Sequence, residues 1–160
     1  MNAEHYETAE ICINGHVITD SLSLFPHQHE EHCHLCGKPT IKACQSCGCA
    51  IRGLEPAGII CDADYSPPAF CHSCGAPYPW TEATLVAAKE LADELDDLSP
   101  EERETLGGSL DDLIADTPRT ALAATRFKQL VAKAGPAVAE AFKELLIEVV
   151  TESAKRQIWG

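Results

Sequence analysis

The chain has 160 residues, nine cysteines and a formal charge of −13, which is room for one large domain or two small ones. No apolar run reaches the ~18 residues of a membrane span and no charged-then-apolar leader opens the sequence, so a soluble, cytoplasmic protein is expected. Acids outnumber bases nine to three over residues 1–80 and sixteen to nine over 81–160; with no basic stripe, binding to nucleic acid is not expected.

The first structured stretch is Ile11-Cys12-Ile13-Asn14-Gly15-His16-Val17-Ile18, where apolar residues flank an Asn-Gly pair, a strong hairpin signal. Cys12 and His16 stand on either side of that turn, so both side chains can reach one ion. A small buried cysteine and a polar histidine on an exposed turn is the plainer alternative. Residues 21–32 follow with His27, His29 and His32 in an acidic setting. A second metal site is conceivable there, but the expectation is a solvated loop whose histidines titrate near neutrality.

Next come two Cys-x-x-Cys-Gly units back to back, Cys33-His34-Leu35-Cys36-Gly37 and Cys44-Gln45-Ser46-Cys47-Gly48, and a third at Cys71-His72-Ser73-Cys74-Gly75. Two thiolates two residues apart converge on one metal, and the glycine lets the backbone turn with positive φ so that its amide faces the sulfurs. One pair is a weak signal; three are strong. Cysteines grouped in this way, without a leader, favour zinc in a reducing compartment over a disulfide scaffold. A closed structural zinc takes four ligands. The six knuckle cysteines therefore need Cys12 and His16 to complete two zinc ions.

The eight ligands can pair in three ways. The sequential grouping, Cys12, His16, Cys33 and Cys36 with Cys44, Cys47, Cys71 and Cys74, gives two tandem zinc ribbons. A nested grouping and an interleaved one are the alternatives. His34 and His72, inside knuckles, are expected to point outward. Cys49 and Cys61 read as small buried hydrophobes, with Cys61 in reserve as a ligand. The stretch from Ile51-Arg52-Gly53-Leu54 through Ile59-Ile60 to Tyr65 reads as short strands broken at Gly and Pro.

Taken together, Ile11-Cys12-x-Asn14-Gly15-His16-Val17, Cys33-x-x-Cys36-Gly37-x-x-Thr40-Ile41, Cys44-x-x-Cys47, Ile51-Arg52-Gly53 and Cys71-x-x-Cys74-Gly75-x-Pro77-Tyr78-Pro79-Trp80-Thr81-Glu82 resemble an uncharacterised bacterial zinc-ribbon family. The resemblance runs from Ile11 to the first helix. It implies a zinc-ribbon fold and carries no activity.

Pro77-Tyr78-Pro79-Trp80 marks the boundary, with two aromatics expected to form a packing joint. Beyond it the apolar period becomes helical. Thr81 is the expected N-cap of a helix with Leu85, Ala88, Ala92 and Leu95 on one face. Ser99-Pro100-Glu101-Glu102 opens a second helix, expected to end at Gly107-Gly108. After a short turn at Ser109, Thr117-Pro118 starts a third, and Gly135-Pro136 begins a last helix from 137 to about 158. In that reading Ile158 and Trp159 lie exposed at its end. The acidic pairs between 93 and 104 read as solvated helix faces.

The expected class is α+β: a small zinc-ribbon β-hairpin module over 1–80 with two zinc sites, then an all-helical half over 81–160. Closed four-ligand sites hold a fold and leave no position for substrate. The expected role is a structural zinc module acting as a protein-binding adaptor or scaffold. The helical half would dock to a partner or to itself. A nucleic-acid-binding ribbon using Lys38, Lys42 and Arg52 is the first alternative. A zinc hydrolase is the second, and it needs one site to be open.

Overall fold

The computed structural model describes residues 6–55 and 65–160, which fall into two compact units, Met1–Glu82 and Ala83–Gly160. Cys61 and the Ile59-Ile60 pair lie outside the described residues.

In the first unit the Asn-Gly turn folds a hairpin of β1 (Glu10–Cys12) and β2 (Val17–Thr19), joined on the other side of β1 by β3 (Thr40–Ile41). The order is β2-β1-β3, all neighbours antiparallel, with Ile11 opposite Ile41 and Cys12 opposite Thr40. Through that register β3 lays the first knuckle beside the Cys12 turn. Residues 51–54 run along the start of the chain: Ala9 N–H donates to the Ile51 carbonyl at 2.9 Å and Glu7 N–H to Leu54 at 2.8 Å. An isolated Thr8–Arg52 bridge stands there in place of the short strands expected. The core collects Ala9, Ile11, Ile51, Tyr78 and Trp80 around the buried sulfurs of Cys44 and Cys71. Tyr78 and Trp80 stack at 4.7 Å, and the indole N–H donates to the Pro68 carbonyl at 2.9 Å. The expected joint residues are thus part of the metal-binding unit's own interior.

The five helices are α1 (Pro79–Asp93), α2 (Pro100–Leu113), α3 (Thr120–Ala134), α4 (Pro136–Leu146) and α5 (Glu152–Trp159). The division between units falls inside α1. Thr81 does not cap α1, which begins at Pro79; its hydroxyl donates instead to the Ala69 carbonyl at 2.8 Å. α3 packs against α2, α4 and α5. Phe127 on α3 meets Phe142 edge-on at 5.5 Å and Trp159 at 6.3 Å.

Three further helix expectations are corrected. α2 continues through Gly107-Gly108, because Leu106, Leu110 and Leu113 form one buried face whose packing outweighs the weak propensity of two glycines. α3 starts at Thr120, two residues after the expected Pro118. The last helix is two: α4 ends at Leu146, and Thr151 caps α5 by accepting from Ala154 N–H. The break turns α5 back, so Ile158 is buried and Trp159 half-buried rather than exposed.

Candidate metal centres

The three Cys-x-x-Cys-Gly units fold alike. In each, the first cysteine's N–H donates five residues ahead: Cys33 to Lys38, Cys44 to Cys49 and Cys71 to Ala76, all at 2.8 Å. The glycine N–H returns to the first cysteine's carbonyl at 2.7–2.9 Å, and Gly37, Gly48 and Gly75 hold φ of 73°, 76° and 76°. A side chain there would be strained. Both sulfurs of a knuckle are thereby left on one side of a tight turn. The Cys12 turn is a shorter version, with Gly15 N–H donating to the Cys12 carbonyl at 2.8 Å and His16 N–H to the Cys12 sulfur at 3.3 Å.

These turns bring Cys12, His16, Cys33 and Cys36 together, and Cys44, Cys47, Cys71 and Cys74 together. In each group the ligand atoms lie within 4.8 Å of one another. The grouping is sequential along the chain. The eight described cysteines are all free, and the closest recorded sulfur pairs, Cys12–Cys36, Cys44–Cys74 and Cys47–Cys71, stand 3.7 Å apart. That is far beyond a disulfide bond of about 2.05 Å. A tetrahedron with metal–sulfur bonds of about 2.3 Å has a sulfur–sulfur edge of about 3.8 Å, and about 3.5 Å to a nitrogen at about 2.05 Å. His16 Nδ1 lies 3.4 Å from Cys12 Sγ and 3.5 Å from Cys33 Sγ. These separations match the edges of such a tetrahedron in both groups, and His16 turns its Nδ1 toward the first.

Electrostatics agree with this. The Lys38 N–H holds the Cys36 thiol down to about 6, and the Cys74 and Ser73 N–H groups do the same for Cys71. The Cys49 N–H favours the Cys47 thiolate, yet burial and the neighbouring Cys71, Cys74 and Cys44 sulfurs push that thiol up to about 11. Four sulfurs this close cannot all ionise without a cation between them. A divalent ion removes the conflict.

The two groups differ in cover. Cys12 and Cys33 are buried while His16 and Cys36 are half-buried; Cys44 and Cys71 are buried while Cys47 and Cys74 are exposed. Tyr78, wholly buried beside the second group, has its hydroxyl pushed up by burial and by the Cys71 sulfur.

Residues 5–158 match the family described as "Uncharacterized protein conserved in bacteria (DUF2321)". The chain belongs to this family. The match takes in both cysteine groups and all but the end of the helical unit, well past the first helix where the sequence resemblance stopped. No curated protein and no solved structure matches the chain.

The remaining histidines and cysteines have specific places. His34 and His72 are exposed; His34 Nδ1 approaches the Glu30 carboxylate at 2.9 Å, and His72 Nε2 lies 3.5 Å from the half-buried Cys49 sulfur. His27 and His32 are exposed as expected of a solvated loop. His29 is more than that: its Nδ1 is 2.6 Å from Glu10 Oε2. Glu10 is a strand carboxylate only 1% exposed, and its other oxygen accepts from Glu30 N–H at 2.9 Å. This pair ties the histidine loop to β1. Nineteen residues separate the partners, so no local motif announces them. Among the described residues, no helix is long and apolar enough to cross a membrane.

Proposed function

We propose that this protein is a structural zinc module with two closed sites that serves as a protein-binding adaptor and has no catalytic role of its own. The observation that carries the reading is the pair of four-ligand groups with tetrahedral edge lengths. Thiolates with one imidazole form a soft donor set suited to zinc. Cys12, His16, Cys33 and Cys36 would hold one ion, and Cys44, Cys47, Cys71 and Cys74 the other. The bound metal would supply fold stability, and a closed four-ligand shell leaves no position for water to be activated.

Exposed apolar side chains support the adaptor half of the proposal. Leu24, Phe25 and Leu35 are 61%, 47% and 67% exposed in the metal-binding unit, with Val86 and Leu122 exposed on α1 and α3. Charge speaks against the nucleic-acid alternative. Of its three bases, Arg52 already lies over the Tyr6 ring, 4.5 Å from the centroid.

Elemental analysis of protein purified without added metal tests the site assignment. Two zinc ions per chain are expected, falling to one in Cys12→Ser or His16→Ala. One zinc per chain, unchanged by either variant, refutes it. The adaptor role is tested by sedimentation at tens of micromolar. Self-association that Val86→Asp or Leu122→Asp abolishes with metal content intact supports docking through the helical half. A strictly monomeric chain that instead shifts DNA or RNA at about 150 mM salt favours the alternative.

A further inference from the structure

α2 carries Gly107 and Gly108 in its middle, where glycine is the poorest helix former after proline. The chain's own packing does not require them, since a Cβ at either position would meet nothing within 4 Å. Gly108 lines a groove of about 280 Å³ in the helical unit, together with Thr105, Asp112, Arg119 and Arg126. Arg119 is held by Asp112 at 3.1 Å. Arg126 makes no ion pair among the described residues. It also borders a shallower depression beside Glu101 and Glu102, but Glu102 is engaged by Lys133 at 2.8 Å. Glu101 borders that depression without closing an ion pair, so the Arg126 guanidinium stays uncommitted at the edge of a groove that Gly108 and Thr105 also line.

We propose that this groove binds a small ligand through an oxyanion group, a phosphate or a carboxylate. Arg126 offers the planar guanidinium fork that matches such groups in bidentate fashion. The bare helix surface at Gly108 leaves room for close approach, and the Thr105 hydroxyl is a second donor. Asp112, its charge offset by Arg119, is the acceptor for a hydroxyl or amine next to the anionic head. The volume lies just under the roughly 300–1,000 Å³ range of small-molecule sites. It suits a head group with a short appendage better than a nucleotide. The site is independent of the metal centres.

The test is calorimetric titration of the full zinc-loaded chain with inorganic phosphate, glycerol phosphate and succinate. Saturable binding of at least one in the millimolar range or tighter is expected, and comparison of the three separates phosphate from carboxylate preference. Arg126→Ala is expected to weaken it at least about tenfold, with Arg126→Lys retaining part. Lys128→Ala, an exposed charge on the same helix outside the groove, leaves it unchanged. Gly108→Leu fills the groove and is expected to abolish binding while the helical circular dichroism persists and the melting temperature holds or rises. Absence of saturable binding by all three probes overturns the proposal, as does equal binding by Arg126→Ala. So does a Gly108→Leu variant that changes only the sedimenting mass, which marks the groove as a protein contact.

Discussion

At Gly53 the backbone passes so close to the Asp20 strand end that an added Cβ would sit 2.0 Å from the Asp20 carbonyl oxygen. Gly53 N–H also donates to the Glu7 carbonyl, and Leu54 N–H donates to Asp20, at 2.6 and 2.9 Å. Gly53→Ala must therefore push two backbone segments apart. A loss of about 1–3 kcal/mol or more is expected, read from urea denaturation of the metal-loaded protein. A loss under a few tenths would show that the crossing yields easily. His29→Ala leaves the buried Glu10 carboxylate with the Glu30 N–H as its remaining partner and is expected to cost about 1 kcal/mol or more by the same measurement. These two residues mark the limit of sequence reading at this scale. The cysteine knuckles were legible because a knuckle is a local object, with spacing, turn and glycine all within five residues. The Gly53 crossing and the His29–Glu10 pair depend on segments far apart in the chain, and neither residue type is unusual for a loop.

α2 shows what local signals decide for an element and what they leave open. Its start was legible. Ser99 accepts from Glu102 N–H and Glu102 returns the bond to Ser99 N–H, closing a full capping box. Ser99→Ala is expected to destabilise the helical unit by about 1 kcal/mol. The hydrogen bond from Lys133 and the Ser99 N–H hold the Glu102 carboxyl below its ordinary value of 4.5. A depressed carboxylate stabilises the fold fully above its unfolded value and loses that contribution as pH falls through the folded one. Thermal melts of the helical unit should therefore decline below about pH 4.5, and Glu102→Gln should flatten that decline. An unchanged profile in the variant would assign the acid sensitivity elsewhere. The ends of elements were less legible. Gly107-Gly108 looks like a stop, yet three buried leucines carry the helix past it. Between α4 and α5 the reverse holds, since Ile147, Val149 and Val150 continue a helical apolar pattern without glycine or proline. The chain turns there because Val150 and Ile158 both find the helical core only if α5 folds back, a tertiary preference that no four-residue signal encodes.

Across the whole molecule, the metal-binding unit has a short sheet and a small core, while the helical unit has a continuous apolar interior of its own. Structural zinc contributes on the order of 10 kcal/mol to a small domain. A chelator is therefore expected to unfold the first unit while helical circular dichroism from the second survives. Release should come in two steps. The group with exposed Cys47 and Cys74 should go first, detectable as one metal ion lost before the near-ultraviolet signal changes fully. Simultaneous loss of both ions, or collapse of all helical signal with them, would contradict this. The α+β division was legible because the ligand motifs cease where the helical period begins; the positions of the helices within their unit were not. One consequence of the sequential grouping concerns synthesis. All four residues of the first group, Cys12 to Cys36, precede the first residue of the second, Cys44. As the chain leaves the ribosome, the first group's donors emerge before any thiol of the second, so the two sets have no early opportunity to exchange partners. Ribosome-stalled chains exposing residues through Ile41, which include the knuckle turn and β3 but not Cys44, should already retain one equivalent of metal, and the order of translation would itself act as the chaperone of metal loading.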